Sequence, residues 1–280
     1  MNKLVKIGVY IILGLAGFLL CSILSSIILL LNHSIIIYII QMILSIVFSL
    51  LLIFILCKYF HKIKLYDLGI YNLSKIFKWA IIAVLLPTLV IAFFIVFIPG
   101  QMKFTEINGV QLLNKIGLGV LLIGISTGLT EELWFRGYIM KLIEKNNGKN
   151  IAIILSAVVF SLLHMLNIKP EYNAFDIILK IFNGILVGIM FALIMYKSNS
   201  IWSAVIVHIF WNALTTGIIH VGIIESEIAL FNYIPEMDLN IITGGNIGLE
   251  VSLPATIGYI IVIILCIIKK KNNDVRPYCT

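Results

Sequence analysis

The chain has 280 residues, 61% of them hydrophobic and only 12% charged, with a formal net charge of +7. A mean hydropathy of +1.11 leaves too little polar surface to coat a water-soluble core. The composition therefore excludes a soluble globular domain and, because the basic residues fall in short segments between apolar runs, excludes nucleic acid as the partner.

A helix needs about 18 to 25 apolar residues to cross ~30 Å of hydrocarbon. In chain order, runs of that kind predict eight spans, near 7–31, 35–57, 78–98, 116–140, 151–167, 175–196, 200–221 and 253–268, the fifth and eighth being short. The fold class is thus all-α, a polytopic membrane protein with a polar site on spans four, five and seven. Its expected organisation is three helices with their loops over 1–112, site-bearing helices over 113–221, an extracytoplasmic loop over 222–252, and a last span with a cytoplasmic tail over 253–280.

The first span follows Lys3 and Lys6, but its apolar stretch is too long for a cleaved signal peptide, so it is read as a retained helix. With the N-terminus inside, fifteen Lys and Arg residues fall on the cytoplasmic side and four (Lys103, Lys115, Lys169, Lys180) outside, while Arg136 lies within a span. Both termini are accordingly expected in the cytoplasm of a cell-membrane protein. The segment 58–78 mixes basic, aromatic and apolar residues as an interfacial stretch does. The loop over 222–252 holds five acids and no Lys or Arg, and its Gly244-Gly245 pair marks a turn. Cys21, Cys57, Cys266 and Cys279 lie too far apart for a disulfide framework or a zinc knuckle.

The fourth span carries Glu131, Glu132 and Arg136, and a charge at the bilayer centre costs roughly 2.5–3.5 kcal/mol on insertion scales, so these residues need partners or a task. Residues four apart share a helix face, which pairs Glu132 with Arg136 and points Glu131 elsewhere, free for chemistry. A wholly structural ion network is the competing reading of the same three residues. The fifth span holds Phe160 and His164, and the seventh His208 and Asn212, again with i, i+4 spacing. At ~1.5 Å rise per residue, Glu131, His164, His208 and Asn212 all come to lie roughly 12 to 20 Å from the cytoplasmic end of their spans.

Two hydrolytic sites use this set. Without metal, Glu131 is the general base on a water that His164 helps hold, and His208 and Asn212 donate to the oxyanion. With a divalent metal such as zinc, Glu131, His164 and His208 form a His₂Glu site with an open water position. The zinc-helix, rhomboid-type serine and Gly-x-Gly-Asp patterns of other intramembrane proteases are absent from the sequence.

At these residues the chain resembles the CAAX protease and bacteriocin-processing (CPBP, or Abi) family, which includes the type II CAAX prenyl endopeptidases. The resemblance rests on Glu131-Glu132-x-x-x-Arg136, Phe160-x-x-x-His164 and His208-x-x-x-Asn212, in that order on successive membrane helices. It implies an intramembrane endopeptidase in which Glu131 is the base, His208 and Asn212 form the oxyanion site, and Glu132, Arg136 and Phe160 support them. The family has been described both as metalloproteases and as glutamate proteases; Asn212 suits an oxyanion donor better than a zinc ligand, so no cofactor is expected. The expected partners are the lipid bilayer and a membrane-associated protein or peptide substrate. A non-enzymatic bacteriocin-immunity or peptide-binding protein is the alternative reading.

Overall fold

The computed structural model describes residues 2–104 and 107–268, so the tail expected after the last span, with Cys279, lies outside the described residues. Among these residues seven helices are long and apolar enough to cross a bilayer: α1 (Lys3–Leu30), α2 (Ile35–His61), α3 (Leu65–Phe97), α4 (Gly109–Asn147), α5 (Lys149–Asn167), α6 (Ala174–Ser198) and α7 (Ile201–Ile218). The eighth predicted span is a shorter apolar helix, α8 (Leu253–Ile267). The chain is an all-α polytopic membrane protein, as its composition requires. Ile12, Ile23, Leu51, Ile81, Leu89 and Ile261 are exposed on the outer faces of α1, α2, α3 and α8, where hydrocarbon rather than water is the solvent.

The predicted interfacial segment is a pair of single 3₁₀ turns, Leu65–Leu68 and Leu73–Lys75, leading into the regular part of α3 from Ile76. Gly148, at φ +83°, breaks the chain between α4 and α5, a conformation that costs a residue without a Cβ little. Asn173 caps α6 by accepting from the Phe175 and Asp176 amides, and Ser200 caps α7 through the Trp202 amide.

The loops hold one feature that helical periodicity does not predict. β1 (Gly100–Phe104), β2 (Ile219–Val221) and β3 (Phe231–Pro235) make a three-stranded sheet in the order β1-β3-β2. Gly100 pairs with Pro235 in the antiparallel half and Ile219 with Phe231 in the parallel half. The sheet ties the end of α3 to the end of α7, and Lys103 pairs with Glu225 beside it.

α4 is the central helix. Its Trp134, Phe135, Arg136 and Tyr138 are completely buried. α1 and α2 cover one side of it, with Trp134 Nε1 donating to Ser49 on α2 at 3.1 Å, and α5 to α7 cover the other. α7 approaches α4 at bare backbone: a Cβ on Gly119 would lie 2.6 Å from Gly217 Cα. That glycine pair sets the distance at which the polar residues of the two helices meet.

Candidate active site

The acidic residues sit at an irregularity of α4. Wide i→i+5 turns run over Gly117–Thr127 and Glu132–Met140, and between them Gly128–Glu131 is ordinary α-helix. Turns of this kind re-aim side chains and concentrate at functional positions. Glu131 ends the α segment and Glu132 begins the second wide stretch, so the two carboxylates leave the helix in different directions.

Glu132, fully buried, accepts through Oε1 from Arg136 Nη1 at 2.8 Å and from His208 Nδ1 at 2.9 Å. Arg136 is also fully buried; its Nη2 lies 3.4 Å from Gly188 O on α6. Its guanidinium carbon stands 4.2 Å from the Phe160 ring centroid and 5.2 Å from that of Phe191. One carboxylate, one carbonyl and two aromatic faces compensate this buried cation, while its Nε is left without a hydrogen-bond partner.

His208 bridges the two acids. While Nδ1 faces Glu132, Nε2 lies 3.7 Å from Glu131 Oε2, within ionic reach but too long for a hydrogen bond. The imidazole is sandwiched against Phe191, with ring centroids 4.5 Å apart and planes 17° from parallel. Phe191 has no partner motif in the sequence that singles it out from the other apolar residues of α6. Only its place in the fold reveals the contact.

Glu131 itself, 6% exposed, lines a cavity of about 370 Å³. His164 lines the same cavity from α5, and its Nδ1 donates to Phe160 O at 2.9 Å, which leaves Nε2 as the acceptor of the neutral ring. His208 and Asn212 are not on the cavity wall. Asn212 is half-buried and gives one amide proton to Ile123 O on α4 at 3.1 Å. The fold thus gathers Glu131, Glu132, Arg136 and His208 into one chain of contacts, puts His164 across the cavity, and holds Asn212 apart on a carbonyl of α4.

The rest of the cavity wall comes from residues the motifs do not contain. Ser22 and Ser25 of α1, Gln41, Ser45 and Ser49 of α2, and Ser126, Thr127 and Thr130 of α4 face it. The signal is legible afterwards: Gln41, Ser45 and Ser49 recur every four residues in an otherwise apolar helix, a polar stripe in a lipid-soluble rod. From Glu131 the cavity runs toward the end of the bundle where α1 stops, α2 begins and α5 ends at Asn167.

Among the described residues no three His, Cys, Asp or Glu side chains converge as a ligand set. His164 and His208 hold their Nδ1 atoms on Phe160 O and Glu132 and keep Nε2 free, the orientation a metal-bound imidazole also takes.

Residues 113–214 match the family model described as type II CAAX prenyl endopeptidase Rce1-like. This bears out the resemblance read from the three motifs, and the matched stretch holds every residue from Glu131 to Asn212. No curated protein and no solved structure matches the chain. α1, α2, α3 and α8 lie outside the matched stretch.

Proposed function

We propose that this chain, whose segment 113–214 carries the sequence of that endopeptidase family, hydrolyses a peptide bond of a membrane-associated protein or peptide, with Glu131 as the base. One observation carries the choice of Glu131. It is the acid on the cavity wall, whereas Glu132 does not line the cavity and its Oε1 is taken by Arg136 and His208. A base must reach the water it activates; Glu132 is the anchor.

In the reaction Glu131 removes a proton from a water in the cavity as the water oxygen bonds to the carbonyl carbon of the substrate. His164 Nε2, the free acceptor, holds the second water hydrogen. The electron pair of the C=O bond moves to oxygen, and His208 Nε2 with the second amide proton of Asn212 donates to it. For Nε2 to donate while Nδ1 serves Glu132, His208 carries both ring protons, with Glu131 and Glu132 as its counter-charges. Collapse of the intermediate breaks the C–N bond, and the proton held on Glu131 passes to the leaving amine. No step passes through a metal.

The protein resides in the cell membrane with both termini cytoplasmic, the arrangement supported by the excess of Lys and Arg in the segments assigned to that side. The cavity then extends from Glu131 toward the extracytoplasmic side. Reconstitution in liposomes with a peptide library tests the activity: the parent cleaves, and Glu131→Gln is slower by about 10²–10⁴-fold, the usual worth of a general base. Undiminished cleavage by that variant removes the mechanism. Zinc analysis of active protein tests the metal-free chemistry, with full activity expected at far less than one metal per chain.

A non-enzymatic immunity role draws support from the closed network of Glu132, Arg136 and His208, which has a structural use without any chemistry. Equal protection of cells from a peptide toxin by the parent and by Glu131→Gln, His164→Ala and His208→Ala establishes that reading instead.

A further inference from the structure

The part of the cavity wall supplied by α1 and α2 is weighted toward hydrogen-bond acceptors. Ser26 gives its hydroxyl proton to Ser22 O at 2.7 Å, so its 3.1 Å contact with Gln41 Nε2 is one in which the amide donates. That fixes the orientation of the amide and leaves Gln41 Oε1 buried with no partner. Ser45 spends its proton on Met42 O at 2.9 Å, so in its 2.6 Å contact with Ser126 it is Ser126 that donates. Thr130 returns its proton to Ser126 O at 2.8 Å. Ser45, Ser126 and Thr130 thus keep lone pairs and no proton for an occupant, while Gln41 keeps the whole of Oε1 and one amide proton.

The charge balance narrows the class of occupant. Glu131 is the one acid lining the cavity, and a second cation beside it would compete with His208 and tie up the carboxylate oxygen that the hydrolytic reading gives to water. A cationic side chain brought in from water would also pay the cost of burial in a membrane. A neutral N–H donor meets the acceptors without either penalty, and Ser22 on the same wall offers a hydroxyl to such a group's own oxygen.

We propose that the wall formed by Gln41, Ser45 and Ser126 is a specificity subsite for a carboxamide side chain, a glutamine or asparagine of the substrate close to the scissile bond. The donated N–H pairs with Gln41 Oε1, which has no hydrogen-bond partner within the protein. This inference rests on the endopeptidase reading for its substrate, and adds a selector that lies outside the matched stretch 113–214.

The test uses full-length protein in nanodiscs and non-cleavable ketomethylene peptides identical except for glutamine or norleucine, placed in turn at the positions flanking the isostere. At one position the glutamine peptide binds about tenfold more tightly, the worth of one hydrogen bond to a buried acceptor. Gln41→Met abolishes that difference and leaves the norleucine peptide's affinity unchanged. If Gln41→Met does not fold, Ser45→Ala, which removes the acceptor shared with Ser126, reduces the same preference. Equal affinities at every position in the parent, or a preference that survives both variants, overturns the subsite. Cleavage of the ordinary amide peptides is scored separately: no cleavage of any sequence sinks the endopeptidase reading, while a glutamine preference in binding still upholds the subsite.

Discussion

His208 gives its Nδ1 proton to Glu132, 2.9 Å away, and turns its other nitrogen to Glu131 at 3.7 Å. One imidazole therefore separates two adjacent carboxylates into an anchored acid and an available one. The division of labour between Glu131 and Glu132 is set by this contact as much as by Arg136.

That division predicts unequal stability effects at neighbouring positions. Glu132→Ala leaves Arg136 buried without its carboxylate and is expected to destabilise by about 3–5 kcal/mol, the cost of breaking a buried pair from one side. Glu131→Gln keeps the shape and breaks no hydrogen bond, so it is expected to cost less than about 1 kcal/mol. Thermal unfolding of both variants in the same lipid or detergent checks the contrast.

Phe191 holds His208 in plane, so Phe191→Leu keeps the site apolar but loses the stack and the ring face toward Arg136. Ring stacking is worth about 0.5–1.5 kcal/mol, which converts to a fall of about two- to tenfold in kcat. KM stays unchanged, because Phe191 does not line the cavity. Steady-state kinetics on the cleavable peptides separate the two parameters.

Gly119→Ala drives a methyl into Gly217 and forces α4 and α7 apart near the Asn212–Ile123 hydrogen bond. The expected loss is about 1–3 kcal/mol of stability together with most of the activity. Gly109→Ala, at a position with open space around it, is the control and costs nothing. Parallel melting and activity assays distinguish them.

Cysteine labelling in intact cells tests which end of the bundle the cavity faces. With both termini inside, Asn167→Cys at the far end of α5 reacts with a membrane-impermeant maleimide from outside, and Lys145→Cys near the end of α4 does not. The reverse pattern inverts the topology.

The sheet region carries a pH dependence. His220, in β2, donates from Nε2 to Ile224 O at 3.0 Å; burial is the main cause that pushes its pKa below the ordinary 6.5, with Lys169 adding to it and Glu250 opposing it. A histidine kept neutral in the fold takes up protons more readily when unfolded, so stability is full above pH 6.5 and declines as pH falls below that value. Hydrogen exchange of β2 and β3 at pH 7.5 and pH 5 should show faster opening in acid, and His220→Gln should abolish that acid dependence.

Hydropathy and helical periodicity are local properties, which is why the sequence by itself determined the membrane class, the positions of the spans, and the shared faces of Glu132 with Arg136, Phe160 with His164 and His208 with Asn212. Contacts between helices far apart in the chain are not encoded in spacing, and there the fold decided. It placed Phe191 on His208, gave His208 Nδ1 to Glu132, and turned the stripe of Gln41, Ser45 and Ser49 toward Glu131. It also joined three loop segments into a sheet through backbone groups, which every residue carries and which therefore leave no mark in the sequence.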